Sequence, residues 1–190
     1  IMSTPYIRID DLFSDRDLKL IDSEIDKLAD KFTPLYFDQT QIYRIEMDDL
    51  FNNRRGESAI LGILQGKLYS EEVRDIIKSH NDLSYTLYDM QHQFTTNISQ
   101  LREIQEYRWH VDIHPGNEVK FMSFMWYAND DFGGGELIIH DGVKEHIIKP
   151  KRNMFILMPS YYKHKINLPV YEGKYNYRTT VNGFLKINRS

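Results

Sequence analysis

The segment YRWHVDIHP, Tyr107 to Pro115, sets three ionisable side chains, His110, Asp112 and His114, two positions apart. In an extended chain residues i and i+2 leave the same face, so His110 and Asp112 are placed to approach one cation together. Two protein ligands hold a transition metal poorly, and a third is needed. His164 follows the apolar run Asn153 to Met158, a strand that in a two-sheet β fold can return beside the first. Two histidines and one carboxylate leave coordination positions open, a donor set suited to Fe(II). His114 would extend the set toward a His-x-Asp-x-His zinc site. Pro115-Gly116 follows it at once, however, and marks the start of a loop.

These residues need rigid elements to aim them. The 190-residue chain is long enough for a single domain with a sizeable core. Its character changes near residue 84. Residues 1–83 read as a helical support segment. Ser14 is a fitting N-cap, Asp15 and Asp17 occupy the first turn, and Leu18, Ile21, Ile25 and Leu28 follow at helical spacing. A second helix starts at Ser70-Glu71-Glu72 and leads into Val73, Ile76 and Ile77, while Asp48 to Gly56 reads as a loop. Residues 84–190 read as the catalytic core. Short β runs are expected at 84–93, 103–111, 120–128, 135–140, 145–148, 153–158 and 176–187, separated by turn residues such as Asp141-Gly142 and Glu172-Gly173. The expected fold is mostly β with N-terminal α: a double-stranded β-helix, or jelly roll, flanked by helices.

Alternation divides the last strand into an apolar face, with Val181, Leu185 and Ile187, and a polar face, with Arg178, Thr180, Asn182 and Phe184. Glu106, Arg108, His110 and Asp112 share one side of their strand if no bulge intervenes, and Phe121, Ser123, Met125 and Tyr127 share one side of theirs. Such faces are either solvated or line a common cleft. An arginine buried in that cleft would require an anion, because an unpaired buried charge costs several kcal/mol.

Five pieces now stand in order: Tyr107 to Asp112; Met125-Trp126-Tyr127-Ala128-Asn129; Gly134-Gly135-Glu136-Leu137; His164 followed by Pro169-Val170; and Arg178-Thr179-Thr180 with Phe184. Together they resemble the Fe(II)- and 2-oxoglutarate-dependent dioxygenases, the prolyl hydroxylase branch above all. The resemblance implies that His110, Asp112 and His164 bind Fe(II). It implies that Arg178 pairs with the distal carboxylate of 2-oxoglutarate, that Thr180 and Tyr127 add a hydroxyl and a phenol, and that Tyr107 and Leu137 line the cosubstrate pocket. A guanidinium suits that carboxylate because it grips it with two parallel hydrogen bonds and keeps its charge. The implied reaction converts 2-oxoglutarate and O2 to succinate and CO2 and hydroxylates an unactivated C–H bond, with a prolyl residue of a peptide or protein, or an amino acid, as the leading substrate. No motif decides whether ascorbate is required.

One spacing departs from the family. Prolyl hydroxylases usually carry the basic residue nearer the distal histidine, where this chain has Lys174. Arg178 is preferred because it shares a strand face with Thr180 and keeps its spacing to Phe184, whereas Lys174 follows Gly173 in a loop. The remaining candidates read as ordinary structure: His140 and His146 near a turn, His80 at a helix C-terminus, Trp109 and Trp126 in core packing, and Gln39 to Arg44 with Arg54-Arg55 as polar surface. Phe132 reads as core or cleft rim, and His92 has no partner.

Two other functions fit parts of the pattern. A ligand-binding jelly roll without oxygenase activity would need no anion anchor beside the metal ligands. A zinc hydrolase would need a general base and no such anchor. The net charge of −4 argues against nucleic acid. The absence of cysteine fits a reducing compartment, and no apolar run is long enough to span a bilayer, so a cytoplasmic protein, monomer or homodimer, is expected.

Overall fold

The computed structural model describes residues 4–37, 39–80, 93–103, 106–112, 118–172 and 177–188. In chain order its elements are β1 (Ile7–Ile9), α1 (Asp15–Lys27), β2 (Thr33–Phe37), β3 (Thr40–Glu46), α2 (Met47–Leu50), α3 (Ala59–Leu68), α4 (Glu71–Ser79), β4 (Gln93–Leu101), β5 (Tyr107–His110) and β6 (Glu118–Tyr127). There follow β7 (Gly133–Gly134), β8 (Leu137–His140), β9 (Glu145–Ile148), β10 (Phe155–Pro159), β11 (Lys163–Ile166), β12 (Pro169–Val170) and β13 (Arg178–Asn188). The strands pair antiparallel into a large sheet of order β1-β10-β6-β13-β4-β3-β2 and a facing sheet of order β5-β11-β8-β9. That is the expected jelly roll with helices on one outer face.

Two apolar layers hold it together, one on each face of the large sheet. Ile98, Trp126, Phe155, Val181 and Leu185 pack against Ile21 of α1, Leu61 and Leu64 of α3, and Val73 and Ile77 of α4. On the opposite face Leu101, Tyr127, Ile156 and Met158 meet Leu137, Ile139 and Ile166 of the small sheet. Ser14 and Ser70 cap α1 and α4 by accepting from Asp17 N and Val73 N. A third helix, α3, is capped by Ser58 and clamped from α1 by Glu24, whose carboxylate accepts from Ser58 Oγ and from Ala59 N (2.6 Å). Negative charge at a helix N-terminus is favourable there.

The residues before 84 are not only helical. β1, β2 and β3 extend the large sheet at both edges, and the stretch from Asp48 includes α2 instead of a plain loop. Their apolar runs are short and adjoin helical patterns, so strand pairing, not local periodicity, decides their state. β4 is likewise a long strand that begins where the expected strand 84–93 was to end, sharing only Gln93 with it, and residues 84–92 lie outside the described residues. Asn153, at φ 64°, ties the N-terminal segment to this frame. Its Oδ1 accepts from Phe13 N and Trp126 Nε1, both at 3.0 Å, and its Nδ2 donates to Phe13 O at 2.9 Å.

Candidate metal centre and cosubstrate pocket

β5 and β11 bring the histidines together. His110 and His164 are register partners, and their ring centroids lie 4.2 Å apart. Asp112 follows β5, where its backbone N–H donates to Ser160 O at 3.1 Å. Its Oδ1 lies 3.6 Å from His110 Nε2 and its Oδ2 lies 3.4 Å from His164 Nε2. One ligand atom from each of the three residues falls within 4.8 Å of the others.

The protonation of both rings is set by their partners. His110 Nδ1 lies 2.7 Å from Arg108 O, and His164 Nδ1 lies 3.0 Å from Tyr162 O. A carbonyl only accepts, so each Nδ1 carries the proton and each neutral ring offers the Nε2 lone pair inward. Ser123 Oγ donates to Asp112 Oδ2 at 2.8 Å and exchanges a hydrogen bond with Ser160 at 2.9 Å. Outer contacts of this kind hold metal ligands in place. Two imidazole nitrogens and a carboxylate, all pre-oriented, fit Fe(II).

A bulge shapes this strand. The β11–β5 register shifts between His164 and Ile166, so Tyr107 and His110, three apart, both reach the pocket. Arg108 and Trp109 are exposed. The simple alternation that placed Arg108 beside His110 is therefore corrected, as is the core role for Trp109. Trp109 is 39% exposed and meets Lys165 Nζ at 5.2 Å from its ring centre. Trp126, by contrast, is fully buried.

Arg178 opens β13 and lines the same pocket as the triad, together with Thr180, Tyr107 and Leu137. It is 2% exposed. Its Nε donates to Gly135 O at 3.0 Å, and its Nη2 donates to Tyr127 OH at 3.2 Å and faces Met125 Sδ at 3.6 Å. Tyr171 fixes the backbone: its hydroxyl accepts from Arg178 N at 3.1 Å and donates to Leu101 O. Gly135, at φ 69°, makes room. A Cβ there would lie 2.9 Å from Phe132 and 3.1 Å from Arg178 Cδ. Every partner of Arg178 is neutral, and among the described residues no carboxylate pairs with it.

Tyr127 itself lies behind Arg178 instead of on the pocket wall. Burial raises its phenol pKa, against the opposing pull of Arg178. Burial, then the Asp112 charge, pushes Tyr107 up to about 12, while Arg44 opposes the shift. Both phenols stay protonated near neutral pH. Thr180 Oγ1 accepts from Asn182 Nδ2 at 3.0 Å. Lys174, His114 and His92 lie outside the described residues. His140 ends β8 and His146 lies in β9, flanking the turn between them, as expected: His140 Nδ1 accepts from Gly142 N at 3.0 Å, and His146 Nε2 donates to Asp141 at 2.8 Å.

Comparisons with known proteins bear on the family and the fold. The model of the 2OG-Fe(II) oxygenase superfamily matches residues 94–186, which span the triad and Arg178. The chain belongs to the 2OG-Fe(II) oxygenase superfamily. No curated protein matches it in sequence. Among solved structures, a Pseudomonas putida prolyl-4-hydroxylase is similar at 18% identity, over 98% of this chain and 93% of that one, with a TM-score of 0.68. A Trichoplax adhaerens prolyl hydroxylase, solved in complex with a hypoxia inducible factor oxygen degradation domain peptide fragment, is 14% identical over 95% and 83% of the chains, with a TM-score of 0.70. The carbocyclase SnoK of nogalamycin biosynthesis, non-heme and alpha ketoglutarate dependent, is 8% identical over 97% and 82%, with a TM-score of 0.68. At these identities the likeness shows a shared fold. For this oxygenase, family membership brings Fe(II), 2-oxoglutarate and O2.

Sequence reasoning missed two site residues. Ser123 was placed on the correct strand face without its bond to Asp112. Arg44, read as polar surface, lines the pocket from β3, a strand that local pattern did not reveal. Burial lowers the Arg44 pKa, against Tyr107, Glu46 and Asp112.

Proposed function

We propose that this oxygenase hydroxylates an unactivated C–H bond of an amino-acid residue, a prolyl residue first, converting 2-oxoglutarate and O2 to succinate and CO2. His110, Asp112 and His164 hold Fe(II), which supplies the oxidising chemistry when bound. Arg178 receives the distal carboxylate of 2-oxoglutarate, assisted by Thr180, while Tyr127 orients the guanidinium from behind. Tyr107 and Leu137 wall the cosubstrate. The observation that carries this reading is the buried Arg178. A guanidinium 2% exposed, held only by neutral groups and lining the metal pocket, is short of one anion. The dicarboxylate supplies it.

The prolyl preference is supported by the prolyl hydroxylases among the structural neighbours, and a peptide or protein substrate by the peptide in one of them. A cytoplasmic setting belongs to the same proposal and is supported by the cysteine-free sequence, while no helix among the described residues is long and apolar enough to cross a membrane. The test is anaerobic. Fe(II) and then 2-oxoglutarate are added while the visible spectrum is recorded, with His110→Ala alongside. A charge-transfer band in the wild type alone is expected; turnover is then measured with prolyl peptides, with and without ascorbate. A folded wild-type protein that develops no band returns the chain to the ligand-binding reading.

A further inference from the structure

Two guanidinium groups line the pocket, and the proposed chemistry uses only one of them. The second, Arg44, is placed by strand register. Thr180 pairs with Ser99, and Ser99 pairs with Arg44, so the three form one row across β13, β4 and β3. Residues in such a row leave the sheet on the same face, and all three line the pocket. Arg44 Nε donates to Ser99 Oγ at 3.1 Å, and the guanidinium lies 5.1 Å over the ring of Phe37. These contacts hold its plane but leave Nη1 and Nη2 without an acceptor among the described residues, and no carboxylate there pairs with it.

The neighbours say what kind of molecule meets this group. Phe37 is 36% exposed, and its ring centre lies 6.1 Å from Tyr107, whose own ring lies 4.2 Å from His110. Arg44 therefore stands at the wall by which a substrate reaches the metal, whereas Arg178 is sealed inside. A partly desolvated guanidinium with free donors favours a planar anion bound through two hydrogen bonds. Asp112 lies on one side and Glu46, Asp48 and Asp49 border the adjoining cleft with Arg44. Those acids disfavour a dianion such as a phosphate and leave a monoanion as the fitting guest.

We propose that Arg44 binds a carboxylate of the primary substrate, so that this oxygenase selects a substrate bearing a free carboxylate near the residue it oxidises. The inference deepens the reading given under Proposed function and rests on it. The carboxylate belongs either to a free amino acid or to an acidic residue next to the target in a peptide, and the test separates these sources.

Binding is measured calorimetrically, without turnover, on protein loaded with Mn(II) and 2-oxoglutarate. The probes are two acid–amide pairs: L-proline against L-prolinamide, and a capped peptide containing Glu-Pro against the same peptide containing Gln-Pro. One acid is expected to bind about 10- to 100-fold more tightly than its amide. The pair that shows the gap identifies the source. Arg44→Ala and Arg44→Gln abolish the gap, Arg44→Lys retains part of it, and all three keep 2-oxoglutarate affinity within about twofold. The inference is overturned if neither acid binds, if acid and amide bind alike, if the gap survives in Arg44→Ala, or if that variant loses 2-oxoglutarate instead. Wild-type protein that takes up neither metal nor 2-oxoglutarate fails the function reading itself, which is a different result from a loaded protein indifferent to charge.

Discussion

His110 and His164 satisfy their Nδ1 atoms in the same way, each on the carbonyl two residues earlier in the chain, Arg108 O and Tyr162 O. The two strands are register partners at these residues, so one local device, used twice, turns both Nε2 atoms toward Asp112. No side chain outside the strands is needed to orient the rings. The carboxylate is the ligand that depends on a neighbour.

That neighbour is Ser123. Its hydroxyl is the hydrogen-bond donor to Asp112 Oδ2 and is itself tied to Ser160. Ser123→Ala is expected to weaken Fe(II) binding about 10- to 100-fold while leaving thermal stability of the metal-free protein within a few degrees. His110→Ala and Asp112→Ala abolish turnover. Metal titration by calorimetry, run beside thermal melts, separates the outcomes, and unchanged affinity in Ser123→Ala would remove the serine from the site.

The anchor and its support should separate kinetically. Arg178→Ala removes a charge-assisted pair and is expected to raise the 2-oxoglutarate KM by about 10- to 100-fold. Tyr127→Phe removes one neutral acceptor from Nη2 and should raise it only about fivefold, with kcat nearly unchanged. Steady-state kinetics with varied 2-oxoglutarate tests both. Equal effects would mean that Tyr127 meets the cosubstrate directly.

Two glycines should respond in opposite directions to alanine. A Cβ at Gly183 would fall 1.8 Å from Thr95 O, a backbone atom of the paired strand that has nowhere to go. Gly183→Ala is expected to cost about 3 kcal/mol or more, by forcing β13 away from β4. Gly66 is exposed within α3 and has nothing within 4 Å, so Gly66→Ala should stabilise the protein by about 0.5–1 kcal/mol. Urea unfolding midpoints of the two variants check the signs.

The β8–β9 turn carries a pH-dependent contribution. Asp141 accepts from Lys144 N at 2.9 Å, His146 Nε2 at 2.8 Å and Val143 N at 2.8 Å, and these bonds hold its carboxyl well below the usual carboxylate range. A folded pKa below the unfolded one gives stability that is full above the unfolded value and is lost as pH falls through the folded one. Asp141→Asn should therefore lower the melting temperature at pH 7, and the gap should shrink steadily below about pH 4. Thermal melts of both proteins from pH 7 to pH 2.5 measure it, and a gap independent of pH would refute the charge assignment.

Much of the site was legible because its chemistry is concentrated in short strands. His110 with Asp112, and Arg178 with Thr180, are neighbours along the chain, and alternation alone gives each pair a common face. The small-sheet strands β8 and β9 were read near their true bounds because turn residues enclose them. What escaped was non-local. The bulge in β5 is a property of pairing with β11, so the exposed position of Arg108 could not be seen from spacing. β3 is a strand because β4 offers it an edge, and β2 because β3 does, and Arg44 was therefore read as surface. The bond from Ser123 to Asp112 joins β6 of the large sheet to the segment that follows β5 of the small one, which no sequence period records.

The row that runs from Thr180 through Ser99 to Arg44 also works as a ruler. Its two steps are strand spacings, about 4.8 Å each, so the stretch of pocket between Thr180 and Arg44 is set by backbone hydrogen bonding at about 10 Å. Insertions or deletions in the surface loops leave that length alone. Only a slip of β3 along β4 would alter it, and a slip of one residue would carry Arg44 to the helix-covered face and bring Ile45, now in the core, into the pocket. The gauge of molecules this pocket measures is therefore protected by the same apolar packing that keeps the sheet in register.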